Sequence, residues 1–166
     1  MLNKNIYLVG MPGSGKTTIS KELCFRFNYD FVDLDQYIEQ QSGLSIIEIF
    51  SRYGEDYFRI LEKKALQDHI NSNKIISTGG GIVKDKMNKK LMHGIVIFID
   101  VDLKTLQKRL QNDKNRPLLR DISIEDLYAN RIENYHYFAD YVVINDNLEK
   151  CLNHIRRILD EENISH

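Results

Sequence analysis

No stretch of this chain stays apolar for anything near the roughly 20 residues that a membrane-spanning helix needs. The apolar part of the opening MLNKNIYLVG is too short for the core of a secretory signal. Both absences argue against export or insertion, and the expected location is the cytoplasm. Cysteine is scarce: Cys24 and Cys151 stand far apart in helix-like patterns, with no CxxC and no Cys/His cluster. Structural thiols are therefore expected, rather than a disulfide, a metal site or a nucleophile. The histidines, His69, His93, His136, His154 and His166, show no metal-ligand spacing either. An excess of charge of one sign is also missing. The 23 basic and 24 acidic side chains nearly cancel, which leaves no whole-chain field to draw nucleic acid or an anionic membrane. Any bound anion must be held by local arrangement. Repeats and low-complexity tracts are absent. What is present, 166 residues with 42% hydrophobic content, suffices for one core and little more. A single domain over 1–166, acting as a monomer on small molecules, is expected.

Short apolar, β-rich runs alternate with longer helical patterns, as a parallel sheet covered by helices requires. The strand candidates are Ile6–Val9, Phe31–Asp33, Lys74–Ser77, Ile95–Ile99 and Tyr141–Ile144. Helical spacing of apolar residues marks Thr17–Phe27, Ile46–Tyr53, Tyr57–Ile70, Leu103–Leu110, Ile124–Phe138 and Leu148–Leu159. The expected class is α/β. Gln111 to Asp121, QNDKNRPLLRD, breaks the rhythm: it is too polar for core and too long for a minimal turn. It reads as a mobile lid over about residues 111–123.

Between the first strand and first helix lies Gly10-Met11-Pro12-Gly13-Ser14-Gly15-Lys16-Thr17, a complete GxxxxGK[ST]. Glycines let the backbone wrap inward with its N–H groups aimed at phosphate oxygens, and the helix adds its positive dipole end. Lys16 supplies a mobile charge for the β- and γ-phosphates, and the Thr17 hydroxyl can ligate Mg²⁺. Nucleotide binding follows, but not the choice among kinase, switch GTPase and motor ATPase. The near match Asn112-Asp113-Lys114-Asn115 lacks the NKxD pattern of a guanine reader, which disfavours a switch.

The second strand runs out into Phe31-Val32-Asp33-Leu34-Asp35, placing carboxylates at i and i+2 on the rim where open α/β sheets bind ligands. One could hold hydrated Mg²⁺ while the other takes an acceptor hydroxyl's proton. The pair would equally serve to cap a helix over Gln36–Gln41.

Further motifs follow in order: Phe31 to Glu39 as FxDxDxxIE; Gly43 through Ser45, Phe50, Gly54-Glu55 and Phe58-Arg59 as GxSIxEIFxxxGExxFR; Gly79-Gly80-Gly81; Arg116-Pro117-Leu118-Leu119; and Arg131, Tyr135, Ala139, Asp140 as RxxxYxxxAD. In order and spacing this set resembles the shikimate kinases over nearly the whole chain. The resemblance implies a P-loop kinase fold with a five-stranded parallel sheet in order 2-3-1-4-5 flanked by helices, a substrate-binding region at about 33–61, and ATP-dependent phosphorylation of the shikimate 3-hydroxyl in aromatic amino-acid synthesis. It implies Asp35 as base and hydroxyl acceptor, and Arg59 and Arg131 as a guanidinium clamp whose forks suit a carboxylate. Gly79, Gly80 and Gly81 would let the backbone approach the substrate ring. Thr17 and Asp33 would sit around Mg²⁺ with Ser77 behind them. Gly13, Ser14, Gly15, Lys16, Thr17, Thr18, Arg109 and Arg116 would bind ATP, with Arg116 closing from the lid as a charge-neutralising finger and Asn145-Asp146-Asn147 flanking the base. Asp100 also ends an apolar strand, but on this assignment it caps the helix near Leu103 instead of serving the metal. Two bland readings stand beside these: Arg59 paired with Glu55 or Glu62, and Arg131 with Asp126 or Asn134, on helix surfaces. The rival functions are a kinase for gluconate or a nucleoside monophosphate, and an ATP binder without turnover.

Overall fold

The computed structural model describes residues 2–111, 113 and 122–164. Arg116, the rest of the RPLL motif and most of the expected lid therefore lie outside the described residues. The order is β1 (Asn5–Val9), α1 (Lys16–Phe27), β2 (Phe31–Asp33), α2 (Leu34–Ser42), α3 (Ile46–Asp68), β3 (Ile75–Ser77), two 3₁₀ turns (Ile82–Lys84 and Lys86–Leu91), β4 (Gly94–Asp100), α4 (Leu103–Leu110), α5 (Ile124–Phe138), β5 (Tyr141–Ile144) and α6 (Leu148–Glu161). All five strands pair in parallel, in the order β2-β3-β1-β4-β5. The sheet is the one expected from the resemblance.

Successive side chains on a strand face opposite sides, and both sides here are apolar. Tyr7, Val9, Ile76, Val96 and Phe98 face a core completed by α2, α3 and α5 through Leu34, Ile49, Phe58, Leu127, Tyr135 and Phe138. Ile6, Leu8, Ile75, Ile97, Ile99 and Val143 face the other way, against Ile19 and Leu23 of α1 and Cys151, Leu152 and Ile155 of α6. Each fully buried aliphatic contributes about 1.5–3 kcal/mol over exposure, so the two cores clamp the sheet rigidly beneath its C-terminal rim. No helix among the described residues is long and apolar enough to cross a membrane.

The structure joins the expected helices Ile46–Tyr53 and Tyr57–Ile70 into one element, α3, interrupted at Gly54. Gly54 has φ 84° and ψ 174°, a backbone state reserved for glycine. Ser45 starts α3 with a capping box: its hydroxyl accepts from Glu48 N while the Glu48 carboxylate accepts from Ser45 N. The 3₁₀ turns after the glycine triplet carry no 3.6-residue apolar stripe, and the sequence periodicity did not predict them.

Candidate active site

Parallel order with β1 in the centre puts the point where the chain changes direction at the end of β1, where doubly wound folds bind ligands. Gly10 to Gly15 leaves β1 there and turns into α1. Gly15 holds φ 97° at the helix N-cap without a side-chain cap, and a Cβ on it would meet Asn145 Nδ2 at 2.6 Å. The buried Asn145 amide donates to Ser14 O at 2.9 Å, so the turn after β5 braces the loop from beneath. Lys16 lies folded on the loop, its ammonium donating to Gly10 O at 2.7 Å and Met11 O at 2.9 Å. Arg109 of α4 donates to Gly13 O at 2.8 Å.

Asp33 serves both readings offered for it. Its Oδ1 accepts from Asp35 N and Gln36 N and so caps α2, while its Oδ2 accepts the Thr17 hydroxyl at 2.7 Å. Ser77 Oγ lies 3.5 Å from the same hydroxyl. Three oxygen-bearing side chains from α1, β2 and β3 thus meet beside the loop. Asp100 does not cap α4, contrary to expectation: Asp102 does, accepting from Thr105 N at 2.9 Å. The helix begins two residues too late for Asp100 to reach its first amides. Asp100 lines neither of the cavities described next, and burial pushes its carboxyl above the usual carboxylate range.

Two cavities open side by side on the rim. One, of about 550 Å³, is lined by Gly13, Gly15, Lys16, Thr17, Thr18, Asp33, Ser77, Arg109 and Asn145. The other, of about 500 Å³, is lined by Phe50, Phe58, Arg59, Glu62, Gly81 and Arg131, with Pro12 and Ile46 on its wall. Asp35, Gly79 and Gly80 belong to both. Every predicted site residue among those described lines one cavity or both, except Ser14, which is buried in the loop itself, and Asn147, whose side chain caps α6.

The glycine triplet is the hub of the second cavity. A Cβ at Gly79 would sit 2.9 Å from Glu62 Oε2 and 3.0 Å from Asp35 Oδ1; at Gly80, 2.9 Å from the Pro12 ring and 3.1 Å from Arg131 Nη1; at Gly81, in collision with the Arg59 guanidinium. Glycine is required because charged groups from α2, α3 and α5 converge on this backbone. Tyr135, stacked on Phe98 with ring centroids 5.0 Å apart, donates its hydroxyl to Gly80 O at 2.6 Å. Burial pushes the Tyr135 phenol up to about 12, so it remains a donor at any physiological pH.

Arg59 keeps the bland pairing and the cavity position at once. It donates to Glu55 Oε1 through Nε and Nη2 at 3.3 and 3.1 Å, and to Glu62 Oε1 through Nη1 at 3.0 Å. Arg131 departs from the surface reading: it is 4% exposed, and among the described residues it pairs with neither Asp126 nor Asn134. Glu62, 1% exposed, entered the sequence reading only as a pairing partner for Arg59. Burial, against the opposing pull of Arg59, pushes its carboxyl up to about 7. Its signal in the sequence was a carboxylate at helical spacing with Phe58, Ala65 and Leu66, all buried.

A phosphate-binding loop that shares a wall with a pocket holding the Arg59 and Arg131 guanidiniums and the Asp35 and Glu62 carboxylates defines a P-loop phosphotransferase. Comparison with known proteins narrows the class. The family model described as "Shikimate kinase" matches residues 12–161. The chain is 40% identical to the shikimate kinase of Sulfurihydrogenibium sp. (strain YO3AOP1), over 93% of this chain and 99% of that one. It is 39% identical to that of Macrococcus caseolyticus, over 93% and 96%. Among solved structures, shikimate kinase from Acinetobacter baumannii in complex with shikimate superposes with a TM-score of 0.88 at 30% identity, covering 98% of this chain and 96% of that one. The Aquifex aeolicus enzyme gives 0.82 at 33%, covering 98% and 99%. The chain belongs to the shikimate kinase family.

Proposed function

We propose that the chain transfers the γ-phosphoryl group of ATP to the 3-hydroxyl of shikimate, giving shikimate 3-phosphate and ADP for aromatic amino-acid synthesis. The observation that carries this reading is the shared wall: Asp35, Gly79 and Gly80 border both the cavity of the phosphate loop and the cavity of the two arginines. An acceptor held in one cavity presents its hydroxyl at that wall to a terminal phosphate held in the other, as in-line transfer requires. Arg59 and Arg131 take the ring carboxylate, and Asp35 accepts the reacting hydroxyl's proton. Lys16 exchanges its loop carbonyls for phosphate oxygens, which offer it full negative charge in place of dipoles. Arg109 lies against the nucleotide beside Asn145.

Thr17 and Asp33 are the groups that would hold Mg²⁺, with Ser77 behind them. Hydroxyl and carboxylate oxygens suit this hard cation, which keeps several waters and binds through one or two protein oxygens plus phosphate. When bound, the ion neutralises charge on the β- and γ-oxygens. On this reading the whole chain is one domain, residues 33–61 serve the acceptor, and residues 111–123 with Arg116 form a lid. The chain acts as a cytoplasmic monomer whose partners are ATP and shikimate, and its balanced charge fits the absence of a nucleic-acid or membrane partner.

Coupled ADP release tests the proposal. Turnover should require ATP, Mg²⁺ and shikimate together and should not appear with gluconate or a nucleoside monophosphate. ADP release that ignores shikimate would refute it.

A further inference from the structure

The geometry points to a second ligand site on the far side of α2 and α3, shaped for an aromatic α-amino acid held as its zwitterion. There a third cavity, of about 300 Å³, shares no lining residue with the two on the rim among the described residues. That volume is at the small end of ligand cavities. Its wall is Tyr37 of α2 and Leu44 of the turn after it, facing Tyr53, Tyr57 and Leu61 of α3. Tyr53 and Tyr57 stand on either side of the Gly54 break with ring centroids 4.8 Å apart and planes tilted by 40°, and they remain 55% and 41% exposed. Two rings left facing water at a cavity mouth offer a surface that a third aromatic ring can cover, in the offset or edge-on contacts such rings prefer.

Charge fixes the class of ligand. Lys64 and Asp68 line the same cavity one helical turn apart. Side chains at this spacing have Cβ atoms about 5–6 Å apart and can pair with each other, yet these two do not. Lys64 has no ion pair or hydrogen bond among the described residues, and Asp68 accepts instead from the Tyr37 hydroxyl, at 2.9 Å on Oδ2. An ammonium and a carboxylate held a turn apart match the carboxylate and the ammonium of a single α-amino acid, which share one carbon and leave the side chain to run toward the tyrosines. A lone anion or a lone cation would gain from one of these charges and lose to the other.

Calorimetric titration of the full chain with phenylalanine tests the site without calling on turnover, so its result is independent of the acceptor assignment. Phenylalanine should saturate one site. Alanine, which lacks the ring, should bind at least about tenfold more weakly. Phenethylamine and 3-phenylpropionate, which each lack one charge, should bind about 2–5-fold more weakly. Lys64→Ala, a change at an exposed position, should weaken phenylalanine by the same factor and leave phenethylamine where it was. Asp68→Asn, which still accepts from Tyr37, should weaken phenylalanine and leave 3-phenylpropionate where it was. No saturable uptake of phenylalanine, equal affinity for alanine, affinity indifferent to both variants, or displacement by shikimate or ADP would overturn the proposal. So would a dimer in sedimentation that comes apart in Tyr57→Ala, since a second copy of the chain would then occupy the groove.

Discussion

Thr17 donates a hydrogen bond from its hydroxyl to Asp33 Oδ2 across 2.7 Å, tying the first turn of the phosphate-loop helix to the end of β2. Because Asp33 Oδ1 meanwhile caps α2, one carboxylate sets both the loop side and the acceptor side of the site. Asp33→Asn should keep the cap, for which asparagine is as good as aspartate, and lose at most about 1 kcal/mol of stability. It should raise the Mg²⁺ concentration for half-maximal turnover at least about tenfold, since a neutral amide is a poorer partner for a hydrated dication. Asp100→Asn should leave the Mg²⁺ dependence where it was. Titrating Mg²⁺ against turnover in both variants is the check, and the reverse pattern would move the metal-side carboxylate to Asp100.

The cavities predict a division of kinetic effects. Arg131 is buried at the Gly80 end of the acceptor cavity, so Arg131→Ala should raise the shikimate KM about 10–100-fold, the worth of a lost charge-assisted contact, with little change in the ATP KM. Arg59→Ala should act in the same direction. Lys16→Ala should instead lower kcat, because the ammonium's attraction grows as charge accumulates on the transferring group. Separate KM and kcat values for each substrate test the division. A large ATP KM effect from Arg131→Ala would place that guanidinium on the wrong side of the shared wall.

Glu62 should also leave a mark on stability. Its carboxyl stands at about 7 in the folded chain against an ordinary 4.5, chiefly because burial disfavours the charged form. Arg59 and Arg131 pull the other way, and Asp35 adds to the rise. Between pH 4.5 and 7 the folded state therefore binds more proton than the unfolded state, and linkage makes stability fall as pH rises through that window and level off above it. The size of the fall is at most about 3 kcal/mol. Carboxylates held below their usual range, such as Glu55 beside Lys84 and Asp85 beside Lys63, contribute with the opposite sign. The useful quantity is thus the difference between wild type and Glu62→Gln. Denaturant midpoints measured from pH 4.5 to 8 should diverge steadily up to about pH 7, with the variant gaining on wild type. Parallel curves would mean that the carboxyl titrates normally.

Much of this was legible in the sequence, for reasons that differ by element. The strands were, because a sheet buried on both faces leaves unbroken apolar runs such as Ile95–Ile99, and the phosphate loop was, because its geometry demands glycine and lysine at fixed spacing. The DxD motif showed that Asp33 and Asp35 belong together; only the packing of α1 against β2 shows one carboxylate carrying two jobs. Asp100 and Asp102 were indistinguishable as caps, since the answer depends on the residue at which α4 begins. Glu62 hid behind Arg59. Spacing alone reads as a surface pair at i, i+3, and its burial arises when α3 docks against Gly79, a contact between residues far apart in the chain. Arg131 was named as half of the clamp through the resemblance, but its spacing within α5 gave no sign of its burial.

Gly54 links the backbone of α3 to the shape of the acceptor cavity. Ile46, Ile47 and Phe50 precede it and Phe58, Arg59 and Glu62 follow it, and all six line that cavity. The break at φ 84°, ψ 174° sets the angle between the two arms. Beyond its own neighbours along the chain, no atom lies within 4 Å of a Cβ built there, so Gly54→Ala meets no packing clash and its cost is that of the local backbone strain, of order 1–3 kcal/mol. Alanine also favours helix over the extended state by its intrinsic propensity, so relief of strain pulls the two arms toward one straight helix and turns Phe50 away from Phe58, whose rings now lie 5.0 Å apart. The expected outcome is a lower thermal midpoint together with a shikimate KM raised several-fold and an ATP KM unchanged. Loss of stability with both KM values intact would show that the arms are held by their contacts with α2 and the sheet, and that the glycine only closes the chain between them.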